Sequence, residues 1–415
     1  MHLKKCKDIS EEIAFQTTYS EFCSFIKNAQ ETTASSPSGR SYSHYKALLQ
    51  GPPYLLRTIH SIVELCLQHG IILRRWRKTV TTLIEKDTGS PKIHRMRAIH
   101  IIESEVQFLA KTFYILKMMR LAEKGNVISD EQYGGRNRHQ AQSVILNKIM
   151  YYNISTQTRI PAAFMDDDAR ACYDRILTSL NGLENRRWGM PFKMSQFTTR
   201  FIESQVYHIR TGNGVSKFNY KFERAHQIQG SGQGIAWAGP RWINSGDTCS
   251  RILRKHCAGM KFSTPDKKIT VERTGDFFVD GRANGTTANT IDKTNSDLTL
   301  LQQFQRDEQF YAYTLFSLGH KLALDKCKFY IADYKRGKIK HQHMSIAEAP
   351  GHILIRDSFD SEPVTIKRLE PHEPHTSLGC VITIAGNQNH QFDKLQTKVN
   401  DWKTRVTFAL CTFIA

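Results

Sequence analysis

Two groups of carboxylates stand where chemistry is feasible. The run IPAAFMDDD is apolar until its last three residues, Asp166, Asp167 and Asp168, and Asp280 closes the short apolar stretch FFV. Acids at the ends of buried strands are costly unless they are solvated, paired or holding a cation. Hard oxygen ligands of this kind suit Mg²⁺ (or Mn²⁺), which keeps water and borrows further ligands from substrate phosphates. Two such ions can activate a 3′-hydroxyl and stabilise a leaving pyrophosphate. Taken alone, the same residues are also ordinary turn aspartates, so the order of the surrounding elements has to decide.

Those elements come from a chain of 415 residues, suited to one multi-lobed enzyme or two domains. Helix and strand patterns mix without strict βαβ alternation, which points to an α+β fold. A Ser/Thr/Gly-rich linker over 31–44 follows a short helical piece. TVTTLI and MRAIHIIES read as two strands around the turn DTGSP. Helical periodicity returns in QFLAKTFYILKMMRLAEK, which stops at Gly125, and in RHQAQSVILNKIMYY. ACYDRILTSL is helix-like after the acidic run. Gly-rich QGSGQG opens a long amphipathic stretch that carries Pro240, and TVERTGDFFVDG is strand then turn. DLTLLQQFQRDEQFYAYTLFSLGHKL is helical, KFYIADY, HILIRD and PVTIKRL are strands, and FDKLQTKVNDWKTRV is a polar amphipathic helix.

Charge narrows the partners. The chain has 58 Lys+Arg against 39 Asp+Glu, a net charge of +19 that attracts a polyanion, and nucleic acid is the common one. The 9 cysteines form no C-x-x-C pair, so neither a zinc module nor a disulfide framework is indicated. His341 with His343, and His372 with His375, lack partners at metal spacing. With no secretory signal and no membrane span, the expected location is intracellular, cytoplasm or nucleus, and the oligomeric state stays open.

The order of motifs from about Trp76 to about Trp402 resembles the fingers and palm of reverse transcriptases, RNA-directed DNA polymerases, of the retrotransposon type without long terminal repeats. DARACYD is similar to the family's D-x-x-x-A-F-D, with Asp168 as metal ligand, Tyr173 as the aromatic and Cys172 in place of Ala. QGSGQG supplies the Gly-x-x-Gln-Gly motif at Gly230, Gln233 and Gly234. FVDG resembles the aromatic-x-Asp-Asp turn at Phe278, Asp280 and Gly281. LIEK followed by RMRAI resembles a fingers hairpin whose Lys86 and Arg97 hold the triphosphate, and EQYGGR resembles the following element at Gln132 and Gly134. GHKLALDKCKF resembles the element after the active site, where Lys326 helps protonate pyrophosphate, and SLGCVIT the primer-proximal Leu378–Gly379. Each match is weak singly, and their collinear order is the argument.

The resemblance implies a right-hand polymerase fold with fingers, antiparallel palm sheet and reduced thumb. It divides the chain into an N-terminal extension at 1–44, a fingers-like region at 45–150, a palm with the metal site at 151–345, and a palm end with partial thumb at 346–415. Its implied partners are an RNA template, a DNA primer and deoxynucleoside triphosphates. Asp168, Asp280 and Lys326 would be catalytic, and Lys86, Arg97, Tyr173, Gln233 and Gly234 would bind nucleotide. A flat Tyr173 under the sugar would clash with a 2′-hydroxyl, although an ordinary core tyrosine is the plainer reading. Lys86, Arg97 and Lys326 equally suit solvated surface cations.

One departure matters. Position 281 is Gly where the family has a second Asp. Asp276 lies four residues from Asp280, about 13 Å along an extended strand, and Asp166 is about 7 Å from Asp168 on the same strand face, so neither replaces it directly. Two readings remain open: a polymerase core, weakened or silenced by Gly281, and a catalytically inactive nucleic-acid-binding remnant of a retroelement polymerase. A third, an RNA-copying viral polymerase, shares the palm but sits poorly with Tyr173.

Overall fold

The computed structural model describes residues 9, 12–33, 36–86, 89, 92–223, 230–290, 298–337 and 341–414. Most of the expected turn DTGSP and the first Gln of QGSGQG lie outside the described residues. The helices are α1 (Tyr19–Lys27), α2 (Tyr42–Gln50), α3 (Pro53–His69), α4 (Ser104–Ala110), α5 (Arg120–Lys124), α6 (Ala141–Thr158), α7 (Thr178–Arg187), α8 (Phe192–Glu203), α9 (Ala238–His256), α10 (Leu300–Ser317) and α11 (Asn389–Ile414). The principal strands are β1 (Lys78–Glu85), β2 (Met96–Ile101), β3 (Ala162–Asp168), β4 (Val206–Thr211), β5 (Gly214–Lys221), β6 (Met260–Ser263), β7 (Thr270–Arg273), β8 (Asp276–Phe278), β9 (Gly281–Thr287) and β10 (Lys328–Ala332). The fold is mixed α+β with several sheets, as an α+β sequence pattern requires.

Local signals set the helix ends. Thr18 and Glu21 form a reciprocal capping box on α1. Pro53 opens α3, and Gly70, in the left-handed region at φ +65°, ends it by donating its N–H back into the last turn. Helices α4 and α5 are the two ends of one continuous helix, joined by a π-helical stretch over Lys111–Met119. Pro240 sits in the first turn of α9, where its missing N–H costs no helical bond. ACYDRILTSL departs from the expected helix: Ala171 is left-handed at φ +50°, Cys172–Arg175 is a 3₁₀ turn, and α7 begins only at Thr178.

The chain divides into two compact units, each built from separated stretches of sequence. The first comprises Met1–Ser129, Ala171–Thr248 and Leu318–His320. Its sheet runs β2-β1-β4-β5, with β1 antiparallel to β2 and parallel to β4. Its core gathers Trp76, Phe108, Phe113, Tyr114, Trp188, Phe201 and Trp237. The second comprises Asp130–Arg170, Cys249–Ser317 and Lys321–Ala415. Its sheet runs from the short strand Lys367–Arg368 through β10, β3 and β9 to β8, all antiparallel except the Lys367–Arg368 edge. Beneath it Phe164, Tyr152, Tyr330, Met260 and Phe262 form the core.

The two tryptophans that bound the motif series differ in their packing. Trp76 is fully buried, whereas Trp402 is 66% exposed on α11 and packs into no core. Among the described residues, no helix is long and apolar enough to cross a membrane.

Candidate active site

In the second unit β3 is the central strand, so its C-terminal acids are held on both sides by backbone pairing. Asp168 lies opposite Gly281, Asp167 opposite Arg282 and Asp166 opposite Ala283 on β9, while Asp166 also faces Lys328 on β10. Period-2 alternation puts Asp166 and Asp168 on one face and Asp167 on the other. The apolar residues Ala162–Met165 bury the strand and so fix which face each acid takes.

Each of the three acids has its own cation. Asp166 is held by Lys148 of α6, by His375 Nε2 at 2.8 Å and by the Ser377 hydroxyl at 3.1 Å. Burial alone would raise its carboxyl, but Lys148 and His375 overcome this and hold it down to about 2. Asp167 accepts from Arg282 Nε at 2.8 Å and from Asn284 at 3.2 Å, inside a buried group completed by Glu308. The Arg282 guanidinium also stacks over Tyr311, 3.6 Å from the ring centre. Burial pushes the Asp167 and Glu308 carboxyls upward against the pull of Arg282.

Asp168 differs because its cation, Lys326, is largely solvent-exposed. The turn bearing Lys326 is tied to the strand end, since Ala323 N–H donates to the Asp168 carbonyl at 2.8 Å. The hydrogen bond to Asp168 raises the Lys326 ammonium and keeps it protonated.

Asp280 arrives on the two-residue turn between β8 and β9. Ala169 N–H donates to its carbonyl at 2.8 Å, which joins the turn to the end of β3. The turn is strained: Val279, a β-branched residue, sits in the left-handed region at φ +52°. Desolvation and then the charge of Asp168 raise the Asp280 carboxyl, so the two acids interact. A cavity of about 230 Å³ collects Asp166, Asp168, Asp280, Gly281, Lys326, His375 and Leu378.

The neighbouring element Glu131–Gly134 supports this turn. Phe277 N–H donates to the Glu131 carbonyl at 2.7 Å and Tyr133 N–H to the Phe277 carbonyl at 2.8 Å. A Cβ on Gly134 would stand 2.3 Å from the Val279 nitrogen, so only glycine lets the two backbones lie this close. Asp276 is buried, accepts from Asn147 and the Tyr151 hydroxyl at 3.0 Å each, and is raised to about 6 by its burial. It is therefore committed to the interior and does not face the cavity as a metal ligand.

The expected nucleotide-binding residues belong to the first unit. Lys86 and Arg97 are exposed near the tip of the β1–β2 hairpin, where Arg97 pairs with Ile84. Tyr173 lies in the 3₁₀ turn, and its carbonyl accepts from Ser231 N–H at 2.8 Å. The Gly-rich loop lies against that turn and against β2: Gln233 accepts from His100 N–H at 2.7 Å. Gly234, at φ +100°, passes so close to β2 that a Cβ would come within 2.9 Å of Ile99 and 3.0 Å of the His100 carbonyl. Desolvation raises the Asp174 carboxyl, while Lys86 and Arg175 pull it back, so Lys86 projects its charge onto this turn.

Asp168 and Asp280 offer hard oxygens, repel one another and have one exposed ammonium between them, a combination suited to Mg²⁺ or Mn²⁺. Among the described residues no group of three or more His, Cys, Asp or Glu side chains is disposed to hold a metal ion. A cation here would take its remaining ligands from water and substrate.

The sequence pointed to neither Lys148 nor Arg282, and to His375 only as a candidate metal ligand. Lys148 left a usable signal: it falls in the buried helical stripe Val144, Lys148, Tyr151, Tyr152 and Ser155, where a lysine needs an acid.

No protein-family model matches the chain, and no curated protein matches it. Among solved structures it is similar to a telomerase from Candida tropicalis in complex with a TWJ fragment of telomeric RNA. Identity is 12%, the TM-score is 0.38, and the match covers 64% of this chain and 43% of that one. The likeness is weak, and the chain spans less than half of that neighbour's length.

Proposed function

We propose that the chain is the core of an RNA-directed DNA polymerase of the retroelement kind, working by nucleotidyl transfer at Asp168 and Asp280. One observation carries the reading: four acids line one cavity, and Asp166 and Asp167 are neutralised there by interior cations while Asp168, beside Asp280, is paired with the exposed Lys326.

In this reading Asp168 and Asp280 would hold a divalent cation, with Lys326 displaced from Asp168. When bound, the cation supplies the charge that activates a primer 3′-hydroxyl and steadies the leaving pyrophosphate. Lys326, released from Asp168 and still protonated, turns to the departing phosphate and donates its proton there. Lys86 and Arg97 bind the triphosphate, Arg97 through its forked guanidinium. Gln233 and Gly234 present backbone to nucleotide or template, and Tyr173 selects a deoxyribose. The basic chain binds the RNA template and DNA primer through phosphates.

Gly281 favours a second reading, in which the chain binds nucleic acid without chemistry, because the position opposite Asp168 carries no carboxylate. Primer extension on an RNA template with Mg²⁺ or Mn²⁺ separates them. Incorporation by the parent that Asp168→Ala abolishes supports the polymerase. A silent parent that binds nucleic acid with steep salt dependence, and stays silent as Gly281→Asp, selects the remnant.

A further inference from the structure

Helix α11 carries an apolar seam that its own unit leaves uncovered. Phe392, Leu395, Val399, Trp402 and Val406 are all exposed, Phe392 and Trp402 to 66% each. Their spacing is three, four, three and four residues, the a/d pattern by which a helix packs knobs into the holes of a partner helix. The helix is moored through its first turn: the Gln391 side chain accepts from Val381 N–H at 2.7 Å, and Lys394 donates to the Gly379 carbonyl at 2.9 Å. A solvated helix gains nothing from five large apolar side chains in one line, and such a stripe marks an interaction surface.

The flanks define the partner. The positions bordering the seam are Gln391, Gln396, Lys398, Lys403 and Arg405, three cations and no acid, while Asp393 and Asp401 lie on the outer positions. A second copy packed in parallel would set Lys398 against Lys403 of its mate, and an antiparallel copy would also bring cations together. A phosphate backbone would attract the cations but leave Trp402, Phe392 and Leu395 facing a polar surface. We propose that this face docks an amphipathic helix of another protein, with apolar residues at its own a and d positions and Glu or Asp bordering them. The inference uses no residue of the Asp168–Asp280 cavity, although the polymerase reading counts this helix as its partial thumb.

The test uses the full chain and two fluorescent helical peptides of about four heptads, identical at their apolar a and d positions, one with Glu and one with Lys at every e and g position. Fluorescence anisotropy at physiological salt should show the Glu peptide binding at least tenfold more tightly than the Lys peptide. Lys398→Glu, Lys403→Glu and Arg405→Glu together should invert that order. These are surface positions, so the inversion reads the interface rather than folding; Asp393→Lys on an outer position should leave the preference unchanged. Equal binding of both peptides, or of neither, overturns the proposal. Self-association of the full chain that masks the seam would assign it to a second copy, and displacement of the Glu peptide by an RNA–DNA duplex would assign it to nucleic acid. Either result overturns it too.

Discussion

Gly281→Asp is the most informative single change. A Cβ at this position would meet the Leu378 side chain and the Phe278 carbonyl at 3.6 Å each and the Asp167 carbonyl at 3.8 Å, ordinary contact distances. Its backbone is not left-handed, so a side chain is accepted without strain. The register places residue 281 directly opposite Asp168, and opposed side chains on one sheet face have Cβ atoms about 5 Å apart. With Asp168, Asp280 and Lys326 the site already carries a net charge of about −1, and the substitution adds another carboxylate to it. At about 5 Å and an effective dielectric constant of about 20, two carboxylates repel by roughly 3 kcal/mol. Like charges opposed in sheets measure nearer 1, so a cost of about 1–3 kcal/mol is expected without cation.

Gly281→Asn has nearly the same shape and gains equally, by roughly 0.5–1 kcal/mol, from replacing a strand glycine. The difference between the two variants therefore isolates charge. Denaturant unfolding at pH 7 in EDTA should place the Asp variant about 1–3 kcal/mol below the Asn variant. The new carboxyl is raised in the folded state, so its penalty is absent below its unfolded value near 4 and grows as pH rises. The gap should accordingly close near pH 4. Mn²⁺ should close it too, with the Asp variant binding the ion about tenfold more tightly by calorimetry. No gap in EDTA, together with unchanged Mn²⁺ affinity, would refute the facing of position 281 and Asp168 on which the site is built.

Three further outcomes follow from neighbouring residues. Asp276, raised from 3.8 to about 6, favours the folded state in its neutral form, so its contribution is full below about pH 4 and is lost as pH climbs through 6. Asp276→Asn should raise stability above pH 7 by up to about 3 kcal/mol and change little at pH 4, measured by denaturant titration at both. Arg282→Met leaves Asp167 and Glu308 buried without their cation and should cost about 3–5 kcal/mol, partly recovered by adding Glu308→Gln. Gly134→Ala forces Cβ onto the Val279 nitrogen, so limited proteolysis should find the Asp276–Thr287 hairpin loosened while the first unit keeps its protection.

Much of the framework around the candidate site was legible because its signals are local. An apolar run ending in acids must be a buried strand with its carboxylates at the rim, and IPAAFMDDD is β3 with Asp168 at its last position. The alternation of TVTTLI and MRAIHI, separated by turn residues, likewise yields the β1–β2 hairpin. What stayed hidden lies across long separations. Arg282 reaches Asp167 over 115 residues, and Ser377 reaches Asp166 over 211. Neither leaves a trace in spacing, and only the mid-stripe position of Lys148 hinted that an interior acid awaited it. The exposure of Trp402 was hidden for another reason: an amphipathic helix fixes which residues share a face but not whether anything covers that face.

The charge arrangement on β3 also explains why three consecutive acids are tolerable. Unpaired, Asp166, Asp167 and Asp168 would oppose burial of the strand that carries them. Lys148 with His375 cancels the first and Arg282 the second, from opposite faces of the sheet and inside the unit. Buried pairs of this kind add little net stability, since desolvation offsets their attraction. They hold the strand in register, because a slip of one residue would exchange the partners of every acid. The third acid is left to Lys326, whose exposed ammonium can depart at little cost because surface ion pairs are worth only about 0–1 kcal/mol. The strand thus spends two aspartates on fixing its geometry and keeps Asp168 exchangeable, as the proposed cation site requires.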